Sequence, residues 1–284
     1  MPASAATVKV ITTTTDLASL ATTIGGDKVE VEALVPSGFN ADMYSPRPSD
    51  LFKIHQASLF IQIGLGLEEW ARDLVNEANN ENLVKAQVST GIALLDVPQG
   101  HVDYSFGDIH PYGNPHYQLD PEAGRQMARN VLSALVYVDP ADKDYFKQNL
   151  AAFEAQLTAA EAKWTAAMAP YAGAKFIPYH ESWDYFARAF KLKIPEAIES
   201  KPGFPPSPSR VEEVIRSVRT DGVKLIVTEP YYDVSVAQLI SQQAGIPYLN
   251  LYIDVGGTAA QKDYISTIDY IVSQFVKALG NHGK

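Results

Sequence analysis

Two rhythms of apolar residues alternate along the chain. Short aliphatic runs such as Val8-Lys9-Val10-Ile11 and Leu59-Phe60-Ile61-Gln62-Ile63 have the length and residue types of strands. Between them lie segments with helix-capping residues at their starts. Thr15 or Asp16 opens a helix ending near Gly25-Gly26. A second strand over 29–35 leads into the turn Pro36-Ser37-Gly38, and Ser49 caps a short helix reaching Ala57. Strands alternating with short helices predict parallel βαβ units.

The middle of the chain differs. Asp139-Pro140 pairs an N-cap residue with proline at the first helical position, and nothing breaks a helix from there to about Pro170. Phe146, Leu150, Phe153, Leu157, Ala160, Trp164 and Met168 recur at steps of three and four and mark one apolar stripe. Such a helix would span roughly 45 Å, enough for a rigid spine between two lobes. The α/β rhythm then resumes, with a strand over 174–179 and a helix from Ser182 to Phe190. Ser209 and Glu212 form a capping box for a helix ending near Asp221-Gly222. Strands follow over 225–228 and 248–253. A last helix carries Ile265, Ile268, Ile271, Phe275 and Leu279 and stops at Gly280. The expected fold class is α/β: two lobes with parallel sheets joined by one long central helix. The N-terminal lobe is expected over 7–138, the linking helix over 139–170 and the C-terminal lobe over 171–284.

Composition removes several function classes. The net charge of -10 and pI near 5.1 argue against a nucleic-acid partner, which requires a basic face. With no cysteine there can be no disulfide, thiolate metal site or cysteine nucleophile, and the absence fits an oxidising compartment. No apolar run approaches the ~20 residues of a membrane span. Residues 1–6 have neither a basic nor an apolar signal region, and Ala3, Ser4 and Ala5 are compatible with the tail of a trimmed leader.

Candidate chemistry lies where strands end. His180 follows the 174–179 strand; Asp254 follows the 248–253 strand and precedes Gly256-Gly257. Asp42 sits in the loop after the second strand, and His116 in the Pro- and Gly-rich loop after Pro111. Parallel sheets hold ligands at their carboxyl ends, so each half offers two loops to one crevice. Two imidazoles and two carboxylates suit Zn²⁺, Mn²⁺ or Fe²⁺. Residue types alone leave loop caps and structural histidines as the alternative.

Longer motifs add to this. Asp42-Met43-Tyr44-Ser45-Pro46-Arg47-Pro48-Ser49-Asp50, Gly64-Leu65-Gly66-Leu67-Glu68, Asn114-Pro115-His116-Tyr117-Gln118-Leu119-Asp120-Pro121 and His180-Glu181-Ser182-Trp183-Asp184-Tyr185-Phe186 occur in order, followed by Thr228-Glu229-Pro230 and Asp254-Val255-Gly256-Gly257. Together they resemble the zinc- and manganese-binding solute-binding proteins of ABC importers, over nearly the whole chain. The resemblance implies two α/β lobes on one long helix with a metal site in the interlobe cleft. It also implies an extracytoplasmic monomer, periplasmic or lipid-anchored in its precursor, that is not an enzyme. Such a protein carries Zn²⁺ (or Mn²⁺ or Fe²⁺) as transported ligand to a membrane permease.

His116 falls on the histidine of an Asn-Pro-His-x-x-x-Asp-Pro motif, His180 on the histidine opening a segment like His-Asp-x-Phe-x-Tyr-Phe, and Asp254 on an acidic residue before a glycine. Asp42 is a departure: it stands where Asp-Pro-His-x-Tyr-x-Pro-x-Pro-Ser-Asp has histidine. Either its carboxylate ligates in place of imidazole, or it only caps the turn and leaves three ligands and water. The loop over 100–113 is short where many zinc members carry a histidine-rich insertion. Its His101, Asp103, Asp108 and His110 read as solvated residues, or as a weak accessory site. His55 and His282 read as non-functional, and Glu229 as a hydrogen-bond partner for a ligating imidazole. The rival readings are a metallohydrolase, for which no His-Glu-x-x-His or Gly-x-Ser-x-Gly is present, and a relative binding an organic solute or acting as an adhesin, to which Asp42 gives support.

Overall fold

Val8, Val10 and Ile11 are buried in the strand β1 (Val8–Thr12) of a computed structural model that describes residues 7–100, 110–201 and 203–281. Thr14 caps α1 (Thr15–Gly25) by accepting the amide of Leu17. The chain returns as β2 (Val29–Ala33), crosses by α2 (Pro48–Gln56) to β3 (Leu59–Gln62), and by α3 (Glu69–Glu77) to β4 (Val84–Gln87). These four strands form one parallel sheet in the order β2-β1-β3-β4. In the second half β5 (Phe176–Pro178), β6 (Leu225–Thr228) and β7 (Tyr248–Asn250) form a parallel sheet in sequence order. Their connecting helices are α6 (Asp184–Ala189), α7 (Pro208–Asp221) and α8 (Val234–Ala244), and α9 (Tyr264–Gly280) closes the chain. The fold is two parallel α/β lobes with a long central helix, as the apolar pattern predicts.

That helix, α5 (Lys143–Met168), starts later than expected. The preceding helix α4 (Pro121–Val138) uses Asp139 as its C-terminal cap, the Asp139 amide donating to Leu135 O at 2.8 Å. The Asp139 carboxylate accepts from Ala141 N at 3.2 Å, so Asp139-Pro140 forms the turn between two helices. At 26 residues, α5 is about 39 Å long. Its stripe faces inward: Phe146, Leu150, Phe153, Leu157, Trp164 and Met168 are buried, and Ala160 is half-buried.

The helix is fastened to both lobes. Asn149 Nδ2 donates to Ile24 O of α1 (2.9 Å), Arg129 Nε to Glu154 Oε1 between α4 and α5 (2.7 Å), and Trp164 Nε1 to Asp269 Oδ1 of α9 (2.9 Å). One apolar core runs from Val10 and Ile61 through Phe153 and Leu157 to Phe176, Leu225 and Phe275. Hinging the lobes apart would strip packing from this stripe, so the fold favours loop shifts over wide closure. Because all strands within each sheet are parallel, the loops after β1 to β4 leave one sheet edge, and those after β5 to β7 leave one edge of the other.

Candidate metal centre

The loop after β2 brings Asp42 to the cleft. Asn40 Oδ1 accepts the Asp42 amide at 2.9 Å, and Trp70 Nε1 donates to Ala41 O at 2.8 Å. Asn40 therefore makes the turn, and the Asp42 carboxylate faces inward, where its Oδ1 is 3.2 Å from His110 Nε2 and its Oδ2 is 3.9 Å from His116 Nε2. The capping role that sequence left open for Asp42 is not what its side chain does here.

His116 is set by its own motif. Asn114 Oδ1 accepts the His116 amide (2.9 Å), while Asn114 Nδ2 donates across the cleft to Glu181 O (3.0 Å). Tyr185 Oη donates to Asn114 O (2.8 Å) and accepts from Leu95 N (2.9 Å). Asp120 caps α4 through the Glu122 amide and takes the Arg188 guanidinium at 2.7 Å. The Asn-Pro-His-x-x-x-Asp-Pro segment of one lobe is thus bolted to the His180 segment of the other, which brings His180 Nε2 within 3.3 Å of His116 Nε2.

His180 leaves β5 directly, and its Nδ1 pairs with Glu199 Oε2 at 2.9 Å. Sequence reasoning missed Glu199 and assigned such a role to Glu229, whose Oε1 instead accepts from Trp183 Nε1 at 2.8 Å. Glu199 arrives because residues 191–199 run beside β5, with Ile198 N donating to Pro178 O and Glu199 N to Tyr179 O. The alternation Lys191-Leu192-Lys193-Ile194 is the strand-like signal that could have revealed it.

Asp254 follows β7 as expected, and lines a cavity of about 40 Å³ together with Asp42 and His116. Its Oδ2 accepts from Gly38 N (2.7 Å) and Ser37 Oγ (3.1 Å), while the adjacent Val255 amide donates to buried Asp16 (3.2 Å). Asp42, His116 and His180 are therefore brought together, and Asp254 stands on the same wall, tied to the loop that carries Asp42. A wider cleft of about 370 Å³, lined by His180, Glu199, Tyr179 and Tyr232, opens beside Asp42. His110, read above as solvated or as part of a weak accessory site, has a side chain only 11% exposed and joins Asp42 and His116 in a cluster whose donor atoms lie within 4.8 Å of one another. His101, Asp103, Asp108 and His282 lie outside the described residues. His55 bonds Ala78 O away from the cleft.

Burial and charge divide the protons unequally. Burial would raise the Asp42 carboxyl, but the imidazoles of His116, His110 and His180 outweigh it and hold it at about 2. Burial, together with His180 and His110, pushes His116 down to about 3 against the pull of Asp42. For His180 burial acts downward too, yet the Glu199 hydrogen bond and the Asp42 charge prevail and lift it to about 9. With Nδ1–H given to Glu199, the second proton of His180 sits on Nε2 and faces neutral His116, at the point where the donors meet. Burial lifts Glu68 to about 7; its carboxylate accepts from Ile63 N, Gly64 N and Thr13 Oγ1 and so ties the ends of β1 and β3 beneath the site.

The family described as zinc-uptake complex component A, periplasmic (ZnuA), matches residues 10–278. The metal ABC transporter substrate-binding lipoprotein of Lactococcus lactis subsp. lactis (strain IL1403) is 26% identical over 290 residues, covering 96% of this chain and 88% of the relative. The manganese ABC transporter substrate-binding lipoprotein PsaA of Streptococcus pneumoniae is 28% identical over 247 residues, with 84% and 77% covered. A crystal structure of ZnuA matches at a TM-score of 0.82 and 25% identity, over 96% of this chain and 99% of that one.

Proposed function

The chain belongs to the ZnuA family of periplasmic zinc-uptake components, and on that premise we propose that it captures a divalent transition-metal ion between its lobes and delivers it to an ABC importer. The convergence of Asp42, His116 and His180 on one buried point carries this reading. Zinc is the proposed cargo because the donors are rich in imidazole; Mn²⁺ and Fe²⁺ accept the same donor types. Asp254 is proposed as a further donor, its carboxylate turning from Ser37 and Gly38 toward the ion. The 40 Å³ cavity beside Asp42 and His116 has room for an ion with its water. Among the described residues no helix is long and apolar enough to cross a membrane, and the proposed partner is a membrane permease.

The proton on His180 Nε2 supplies a test. An ion can take that lone pair only after the proton leaves, so protons compete with metal at every pH below about 9. Affinity should rise about tenfold per pH unit from neutrality toward 9, while His116, already neutral, adds nothing above about 3. Calorimetric zinc titrations at pH 7 in buffers of different ionisation heat should show about one proton released per ion. Zero release would remove His180 from the ligand set.

Glu199→Gln separates orientation from ligation. Losing the charge that steadies the His180 ring should weaken zinc binding about tenfold. It should also lower the His180 pKa, so that fewer protons leave per ion at pH 7. Weakened binding with unchanged proton release would mean that Glu199 acts only through packing.

A further inference from the structure

His110 lies outside every motif that carries the family resemblance, yet its ring points into the donor cluster. Its Nε2 and Asp42 Oδ1 are 3.2 Å apart, but each is buried without a hydrogen-bond partner. Buried polar atoms are nearly always satisfied, so an ion-pair contact that lacks a well-aligned hydrogen bond leaves both atoms able to take a third partner, and an ion between them would satisfy both. The His110 ring stands edge-on to His116, with ring centroids 5.5 Å apart, as His116 does to His180 at 5.2 Å. The backbone at Gly66 packs on the His110 segment: a Cβ there would rest in ordinary contact with Pro111 Cδ (3.4 Å) and His110 Nδ1 (3.9 Å). Its φ of +91° also favours glycine.

We infer, on the premise that the cleft captures a divalent ion, that His110 is a metal ligand and supplies the imidazole that residue 42 lacks. The two exchanges compensate each other. The carboxylate stands at 42 and the imidazole has moved to the loop before Asn114, so His110, His116, His180 and Asp42 give three nitrogens and one oxygen. Four such donors match the tetrahedral preference of Zn²⁺, and Asp254, which Ser37 and Gly38 hold in the ion-free cleft, would join as a fifth on turning toward the ion.

The test is a competition titration with zinc on the parent, His110→Ala, His116→Ala, the pair Asp42→His/His110→Ala, and His55→Ala as a histidine outside the cleft. His110→Ala should lose at least ~10-fold in affinity, no less than an outer partner's loss. Asp42→His/His110→Ala, which keeps three imidazoles but loses the Asp42 carboxylate, should bind about as weakly as Asp42→Ala, and His55→Ala should bind like the parent. Zinc-edge X-ray absorption should count three imidazoles in the parent and two in His110→Ala, a readout independent of any change in stability. If His116→Ala loses binding while His110→Ala does not, or if the parent shows two imidazoles, the inference falls and the capture site stands. A parent that binds no zinc overturns both.

Discussion

Alanine at His116 or His180 should weaken zinc binding by at least ~100-fold, because losing an outer hydrogen-bond partner alone commonly costs ~10–100-fold and a lost ligand costs no less. Each ring is 7–8% exposed and aimed at the other across 3.3 Å. Neither substitution disturbs the backbone that delivers it, since the His116 amide bonds Asn114 and the Tyr179 amide bonds Val227 O. Thermal unfolding offers a second readout. Zinc at about 100 times its dissociation constant should stabilise the parent by about 2.7 kcal/mol, and at the same concentration should do far less for either variant. Variants that bind zinc like the parent would empty the site of its two central ligands.

Asp42→Ala should also cost about 100-fold in zinc affinity. The carboxylate is buried, held ionised at about 2 by the three imidazoles around it, and free of the turn that Asn40 makes. Removing it deletes the anionic donor that would offset the ion's charge in a low-dielectric pocket. Were Asp42 only a cap, alanine would leave affinity intact and cost about 1 kcal/mol of stability. Asp42→His in the parent background should shift preference from manganese toward zinc, since imidazole replaces the harder oxygen. Zinc and manganese titrations of the three proteins distinguish the cases.

The period of the apolar residues made the sheets and spine legible, because burial on one face leaves a stripe in sequence. Phe146 to Met168 is that stripe, and six of its seven members are buried. Boundaries were less legible: Asp139-Pro140 carries a helix-start signal but serves a helix end, since α4 reaches Val138 and takes Asp139 as its cap. β4 escaped because an edge strand of four residues alternates too briefly to stand out. At the site, His116 and His180 were legible because strand ends and motifs converge on them. Glu199 and His110 were not. Their places depend on tertiary pairing: Glu199 on the segment that runs beside β5, His110 on its meeting with Asp42 and His116 from separate loops.

Metal retention after dialysis bears most directly on capture. The parent and His116→Ala/His180→Ala, stripped with chelator and then equilibrated against micromolar zinc at pH 7.5, can be compared by elemental analysis. The parent should hold one zinc per chain and the double variant none. A parent that emerges without zinc, or a double variant that keeps as much, would contradict a metal site built on these histidines.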